Sequence, residues 1–454
     1  MVLDTLMERF EREAPACVMV RALLEASILP HELDQRLEAA SHDQYTRELL
    51  FSTLIDLMTL TVTKTRPSLH AAMRACADRI EVSTQAVYGK LARTEPSVSR
   101  ELVVFIRQKL LPILQFLSPG APLVEGYRTL VVDGNHLTGT EHRLKVVRHT
   151  RSAAMPGQAL VIYQPDINMI WDVFPCEDAH AQERRIIPEL IAQATAGQLY
   201  IGDRNFCTTI NLLDFHARGA AFLIRRHGSS LVCRDVDVPQ SAGTQNKRPL
   251  SEQTLELDHE PTGRKLRIRQ VTVHRGPKNG KHEDIVLLTN LPPRIEARRI
   301  AELYLERWTI ERAFQDLTDN LGCEIDTLCY PRAALLGFCI ALASYNLWSV
   351  CRAAIAKAKG AEQEKRISTY YLADEWLGTY RGMSIALPPE CWEKYQRMSP
   401  EQVARELVRI AQQIKPARYA KSPRAPKKPR NKRLSGNVHH HVSVAKLLKK
   451  EKET

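Results

Sequence analysis

The stretch that decides the fold runs from Arg128 to Arg226. It holds RTLVVDG (128–134), RLKVVRH (143–149) and QALVIYQ (158–164), then MIWDVFP (169–175) and AHAQERRIIPELIAQA (179–194). LYIGD (199–203), TTINLLDFHARG (208–219) and AAFLIRR (220–226) complete it. The short apolar runs predict strands, with MIWDVFP extending the third as a hairpin. The longer periodic runs at 179–194 and 208–219 predict helices. The resulting order, β-β-β-α-β-α-β, predicts an α/β fold in which a mixed sheet is flanked by helices.

That order is the one found in a ribonuclease-H-like core. Working outward from it, residues 1–125 predict an all-helical N-terminal region. LDTLMERFERE, ELDQRLEAASHDQYTRELLFSTLIDLMTLTV, SLHAAMRACADRI and ELVVFIRQKLLPILQFL all place apolar residues at helical spacing. Within it, PSLHAAMRACADRIEVSTQAVYGKLAR (67–93) fits a helix-turn-helix, and equally an ordinary helical pair. Ser83 or Thr84 would cap the second helix, with Gln85, Tyr88, Lys90 and Arg93 exposed on it. After the core, LVCRDVDV, LELDHE, KLRIRQVTVHR and DIVLLTN predict a β-rich insertion at about 227–290. Helices resume at 294–320 and 333–359, the latter apolar nearly all round and so read as buried. The chain is therefore parsed as a helical region (1–125), a ribonuclease-H-like domain with its insertion (126–360) and a polar helical region (361–414). A flexible tail (415–454) follows, and no internal repeat is visible.

Composition bounds the function. Of 454 residues, 44% are hydrophobic and 26% charged, which excludes global disorder. No run approaches the roughly 18 consecutive apolar residues of a membrane span. MVLDTLMERFEREAP carries acids where an export signal would be basic and apolar, so the chain is read as cytoplasmic. The ten cysteines form no CxxC pair, so reduced thiols are expected and no zinc knuckle. The net charge of +12 is concentrated in the tail. Residues 415–454 carry 13 Lys or Arg against two acids, whereas the other 414 residues carry 51 against 50. Such a tail suits a polyanion, nucleic acid above all, or serves as a solvated end.

Three acids stand out by position. Asp133 ends an apolar strand and precedes Gly134, Asp203 ends LYIG, and Glu311 lies on YLERWTIERAF. Each alone has a plain structural reading: a turn residue, a partner for Arg204, an i,i+4 partner for Arg307. Together, two carboxylates at the ends of adjacent strands and a third on a packed helix can hold two Mg²⁺ or Mn²⁺ ions about 4 Å apart. Hard oxygen ligands suit these ions, and the site would act on a phosphodiester by in-line attack. Nearby Asn205 and His136 are read as supporting or cap residues, Glu177 and Asp178 as helix caps, and Trp308 as packing beside Ile310 and Phe314.

These residues resemble a known family. Tyr304-Leu-Glu-Arg307-Trp-Thr-Ile-Glu311 is similar to the Y-x2-R-x3-E core of insertion-sequence DDE transposases with a YREK signature and a β-strand insertion. VVDGNHL around Asp133 and YIGDRNFCT around Asp203 resemble that family's first two acidic motifs, and LLTNLP, ALASYNLW and KKPRNKRLSGNVHHHVSVAKLL are also similar. The resemblance covers about 125–360. It implies a ribonuclease-H-like catalytic domain with Asp133, Asp203 and Glu311 as catalytic residues and ligands of two Mg²⁺ (or Mn²⁺) ions. It implies Tyr304 and Arg307 at the DNA phosphate, terminal inverted repeats and target DNA as partners, and a homodimer in the synaptic complex, with no membrane. The implied reaction is cleavage of the element's ends followed by strand transfer. The rivals are a catalytically inactive DNA-binding descendant and a nuclease without strand transfer. Two departures are visible. The signature's Lys position, seven residues after Glu311, holds Thr318, and the insertion has no Trp, Tyr or Phe to receive a flipped base.

Overall fold

The computed structural model describes residues 2–42, 48–118, 120–227, 231, 233–275, 277–278, 281–282, 284–321, 325–422 and 442–453. Seven α-helices precede the sheet: α1 (Val2–Glu13), α2 (Pro15–Ser27), α3 (Pro30–Ala39), α4 (Phe51–Val62), α5 (Leu69–Ala75), α6 (Thr84–Arg93) and α7 (Pro96–Leu117). Proline opens α2, α3 and α7, where a missing N–H leaves no bond unmade. Ser83 caps α6 by accepting from the Ala86 N–H. Gln85, Tyr88 and Arg93 are exposed, but Lys90 is buried, contrary to the reading of that face. Its ammonium donates to the Leu49 carbonyl and sits 4.0 Å from the centre of the Phe51 ring. One face of α6 is thus packed against the start of α4.

The sheet follows from apolar runs buried on both faces. Its strands are β1 (Arg128–His136), β2 (Gln158–Gln164), β3 (Met169–Cys176), β4 (Gln198–Gly202) and β5 (Ala221–Arg225). They lie in the order β3-β2-β1-β4-β5, antiparallel through β3, β2 and β1 and parallel from β1 to β5. Alternate residues face opposite ways. Val131, Val161, Ile201 and Leu223 join the core shared with the helices, whereas Val132, Leu160, Tyr200 and Phe222 face α8 (Ile187–Ala192) and α9 (Thr209–Ala217). This is the α/β, ribonuclease-H-like fold the sequence led us to expect. Two elements differ. RLKVVRH forms no strand but a single 3₁₀ turn at Lys145–Val147, so the third strand of the motif is β3. The helix expected over 179–194 is reduced to a 3₁₀ turn at Glu183–Arg185 and the short α8, because Pro188 is tolerated only in a first turn.

Apart from a small ribbon pairing 277–278 with 281–282, the described insertion forms no separate sheet. Its strands β6 (Cys233–Asp235), β7 (Gln240–Gln245), β8 (Arg248–His259), β9 (Arg264–Val273) and β10 (Ile285–Thr289) continue the first. β10 pairs antiparallel with β5, giving one ten-stranded mixed sheet. The helix expected at 294–320 is two, α10 (Ala297–Leu305) and α11 (Arg307–Asn320). At the junction Thr309 takes the Glu306 carbonyl with both its N–H and its hydroxyl, a local alternative to the regular ladder.

Then α12 (Pro331–Lys359) runs through the interior, buried for most of its length. Among the described helices it is the one long and apolar enough to cross a membrane, but its apolar stretch is wholly covered by protein. Around it lie α13 (Ala361–Arg366), α14 (Thr369–Ala386), α15 (Glu393–Gln396) and α16 (Pro400–Ala411). Of these, α12, α14, α15 and α16 share one apolar core with α2, α4 and α7. The region read as a flexible tail is partly folded. Tyr419 is buried and bonds Glu375, whose other oxygen accepts the Cys17 N–H. Residues 442–443 pair with 154–155, and α17 (Val444–Glu453) follows. Residues 423–441, with the basic run and the three histidines at 439–441, lie outside the described residues. None of the nine described cysteines is in a disulfide with another.

Candidate active site

β1 and β4 are parallel neighbours, and Val131 pairs with Ile201 on their last shared rung. Asp133 and Asp203 each lie two residues beyond that rung, so the register brings them to the same end of the sheet. Asp133 accepts the Gly134 N–H at 3.0 Å. Asp203 caps the 3₁₀ turn Arg204–Phe206 by accepting the Asn205 N–H at 2.8 Å.

Glu311 sits in the second turn of α11, which packs on β1. Arg307 links it to the sheet. The guanidinium is 2.9 Å from Glu311 Oε1 and 3.5 Å from Asp133 Oδ2. The i,i+4 pair of the plain reading is therefore present, and it is also the bridge between two of the three acids. Tyr304 closes α10 one turn earlier and is buried. Burial raises its hydroxyl above the usual phenol range, opposed by the nearby charges of Arg307 and Arg225. Trp308 departs from its reading as packing. It is 51% exposed, and the Arg307 guanidinium lies 4.6 Å from its ring centre. The Thr318 hydroxyl turns back to the Phe314 carbonyl of its own helix.

A fourth acid escaped the sequence reading. Glu183 lies against Gly134 so closely that a Cβ there would stand 2.1 Å from Glu183 Oε1. The Asn205 side chain donates to Glu183 Oε2 at 3.0 Å, while its backbone N–H serves Asp203. Asn205 thus ties two acids together. The available signal was the glycine itself, which follows Asp133 in the middle of a buried strand, where only close approach of another group favours it.

Electrostatics sets Asp133 apart. Burial pushes its carboxyl up to about 7, Arg307 opposes this, and Asp203 and Glu183 push further in the same direction. The donor set, hard oxygens crowded with too little positive charge, suits Mg²⁺ or Mn²⁺. Among the described residues no three acids, cysteines or histidines converge closely enough to hold an ion between them. The Arg307 guanidinium stands between Asp133 and Glu311, as a cation would.

No curated protein matches the chain. Residues 125–347 match the family model described as the transposase DDE domain. The match takes in the whole ten-stranded sheet, α10, α11 and the first half of α12. A mixed sheet of this order, with acids at one end, underlies the span 125–347 that is similar to the transposase DDE domain.

Proposed function

We propose that the protein cuts DNA at the ends of an insertion sequence and joins those ends to target DNA, with Asp133, Asp203 and Glu311 as its catalytic carboxylates. The observation that carries this reading is the shared register of Asp133 and Asp203, with Glu311 tied to the same end through Arg307. Asp133, Asp203 and Glu311 would hold Mg²⁺ or Mn²⁺, two ions in all. Bound there, the ions would supply Lewis-acid activation of the attacking hydroxyl and stabilise the leaving oxygen.

The residues of the chain account for the rest. In the first step a water oxygen bonds to phosphorus, the P–O3′ bond breaks, and the 3′ oxygen leaves with a proton. In the second, that 3′-hydroxyl attacks a target phosphodiester, exchanging one P–O bond for another. Arg307, released from the carboxylates as their charge is neutralised, would grip the phosphate in a forked pair of hydrogen bonds. The Tyr304 hydroxyl, held protonated by burial, would donate to the same phosphate. Asn205 keeps Asp203 and Glu183 in place. The exposed Trp308 indole offers DNA a flat face beside Arg307. Two copies of the chain would pair the two ends.

The test is cleavage and strand transfer on DNA carrying the element's flanks, with Mg²⁺ or Mn²⁺, comparing wild type with Asp203→Asn. Metal-dependent cuts at the ends, lost in the variant, would support the proposal. Cuts without joined products would favour a nuclease. End binding by both proteins with cleavage by neither would favour the inactive binder, which the guanidinium already seated between two acids makes a specific alternative.

A further inference from the structure

The connection from β1 to β2 leaves the sheet at the acid-bearing end. Its first residue past β1, Leu137, bonds the Gly157 carbonyl, and Thr140 bonds that of Ala154. Between them runs RLKVVRHTR (143–151), a sequence that alternates basic and apolar residues without forming a strand. Its apolar residues pack elsewhere. Val147, Ala154 and Val444 form a small buried cluster, separate from the two main cores, with Leu144, Leu447 and Leu448 against it. The end of the chain is therefore the partner of this connection. Val442 and Ser443 pair with Ala154 and Met155, and α17 lies on the 3₁₀ turn. Asp178 fastens it, accepting from Ser443 Oγ at 2.9 Å and lying 3.2 Å from the Lys446 ammonium.

This packing has an electrostatic consequence. With the apolar residues turned inward, Lys145, Arg148 and Arg151 are exposed, Arg148 donating to the Arg143 carbonyl, and so are Lys449, Lys450 and Lys452 of α17, with Glu451 and Glu453 among them. Arg143 is paired with Glu141, but Lys145, Arg148 and Arg151 meet no carboxylate among the described residues. Two segments rich in exposed basic residues, from distant parts of the sequence, thus meet over one apolar cluster. Asp178, which fastens α17, lies five residues before Glu183 in the chain.

We propose that residues 143–151 and α17 form one composite surface that grips the sugar–phosphate backbone of duplex DNA beside the catalytic acids. This rests on the DNA-cutting reading of those acids. The cluster around Val444 is the latch that makes the surface single. Contacts of this kind hold DNA without reading its sequence, so they act equally on element ends and on unrelated duplex.

The test uses the full chain, two duplexes (one with the element's end, one unrelated) and no divalent ion, with Kd measured between about 0.05 and 0.3 M salt. Replacing Lys145→Gln, Arg148→Gln and Arg151→Gln together should weaken binding to both duplexes by roughly 100-fold at 0.1 M salt. The slope of log Kd against log salt should fall by about 2 to 3. Val444→Asp keeps every basic residue and opens the latch; a loss of roughly tenfold on both duplexes supports the composite surface. A triple variant with the wild-type affinity and slope overturns the proposal. A weakened triple variant beside an unaffected Val444→Asp overturns the claim that the two segments act as one. Wild type that binds neither duplex at low salt defeats the DNA-cutting reading itself, and the surface with it.

Discussion

Two carboxylates on strands of the same sheet lead opposite lives. Asp172, on the edge strand β3 and one rung from the level of Asp133, is held bidentately by Arg100 at 2.9 and 2.6 Å and accepts the Val173 N–H at 2.8 Å. Beside it, the Arg107 and Arg128 guanidinium groups each lie 4.2 Å from the centre of the Trp171 ring. This edge joins the sheet to α7, and Asp172 has its counter-charge there. Asp133, two strands away on β1, has one backbone hydrogen bond, a guanidinium at 3.5 Å, and two further carboxylates acting on it. A fold meant only to be stable would treat both acids as it treats Asp172. Leaving Asp133 short of positive charge is a stability deficit, and it sits where the proposed phosphate chemistry would need an open cation site.

The largest expected effect concerns the acid-rich end. Asp203→Asn should slow end cleavage by on the order of 10³-fold or more, since it removes several kcal/mol of charge stabilisation from the reaction. A variant within tenfold of wild type would remove Asp203 from the catalytic set. At the charge-matched edge, Arg100→Ala should lower stability by about 2–4 kcal/mol in urea unfolding, because it leaves Asp172 mostly buried and without its ion partner. A change below about 0.5 kcal/mol would put that pair among ordinary surface bridges.

Asp133→Asn should act with the opposite sign. A carboxyl raised to about 7 in the folded state and near 3.8 when unfolded keeps its proton longer on the folded chain. Its contribution therefore falls as pH rises from about 4 to 7 and stays low above that. The Asn variant should be more stable than wild type by about 1–3 kcal/mol at pH 8 without divalent ions, and not at pH 4. Added Mg²⁺ should raise the melting temperature of wild type more than that of the variant. Equal stability at pH 8 would show that Arg307 already neutralises the site. The smallest effect is expected from Gly134→Ala, which pushes Glu183 off β1. We expect a loss of about 1–2 kcal/mol in stability. If Glu183 supports the site, cleavage should also slow; unchanged cleavage would make Glu183 a structural neighbour.

The elements that were legible in the sequence are those whose own residues carry the reason for their structure. β1 and β4 are apolar runs ending on an aspartate, and α12 is apolar all round. Such segments are strands or buried helices wherever they pack. The misreadings share one physical cause. RLKVVRH has a strand's alternation, but its apolar residues answer to Val444 and Leu447, hundreds of residues away. Lys90 reads as an exposed charge until the Leu49 carbonyl and the Phe51 ring are placed over it. The division between α10 and α11 is invisible in a periodicity that runs unbroken through 294–320.

By itself, the sequence determined the class of fold, the helical flanks and the three acids that mark the open end of the sheet. It did so because hydrophobic period and the expense of a charge at a strand end are local properties. Only the tertiary structure decided that the insertion continues the catalytic sheet, through the pairing of β10 with β5. It alone brought Glu183 onto Gly134 and set Arg307 between two carboxylates. It alone folded the end of the tail against the loop beside the acids. Each of these is a contact between residues far apart in the chain, fixed by register and packing rather than by any property of the residues taken singly.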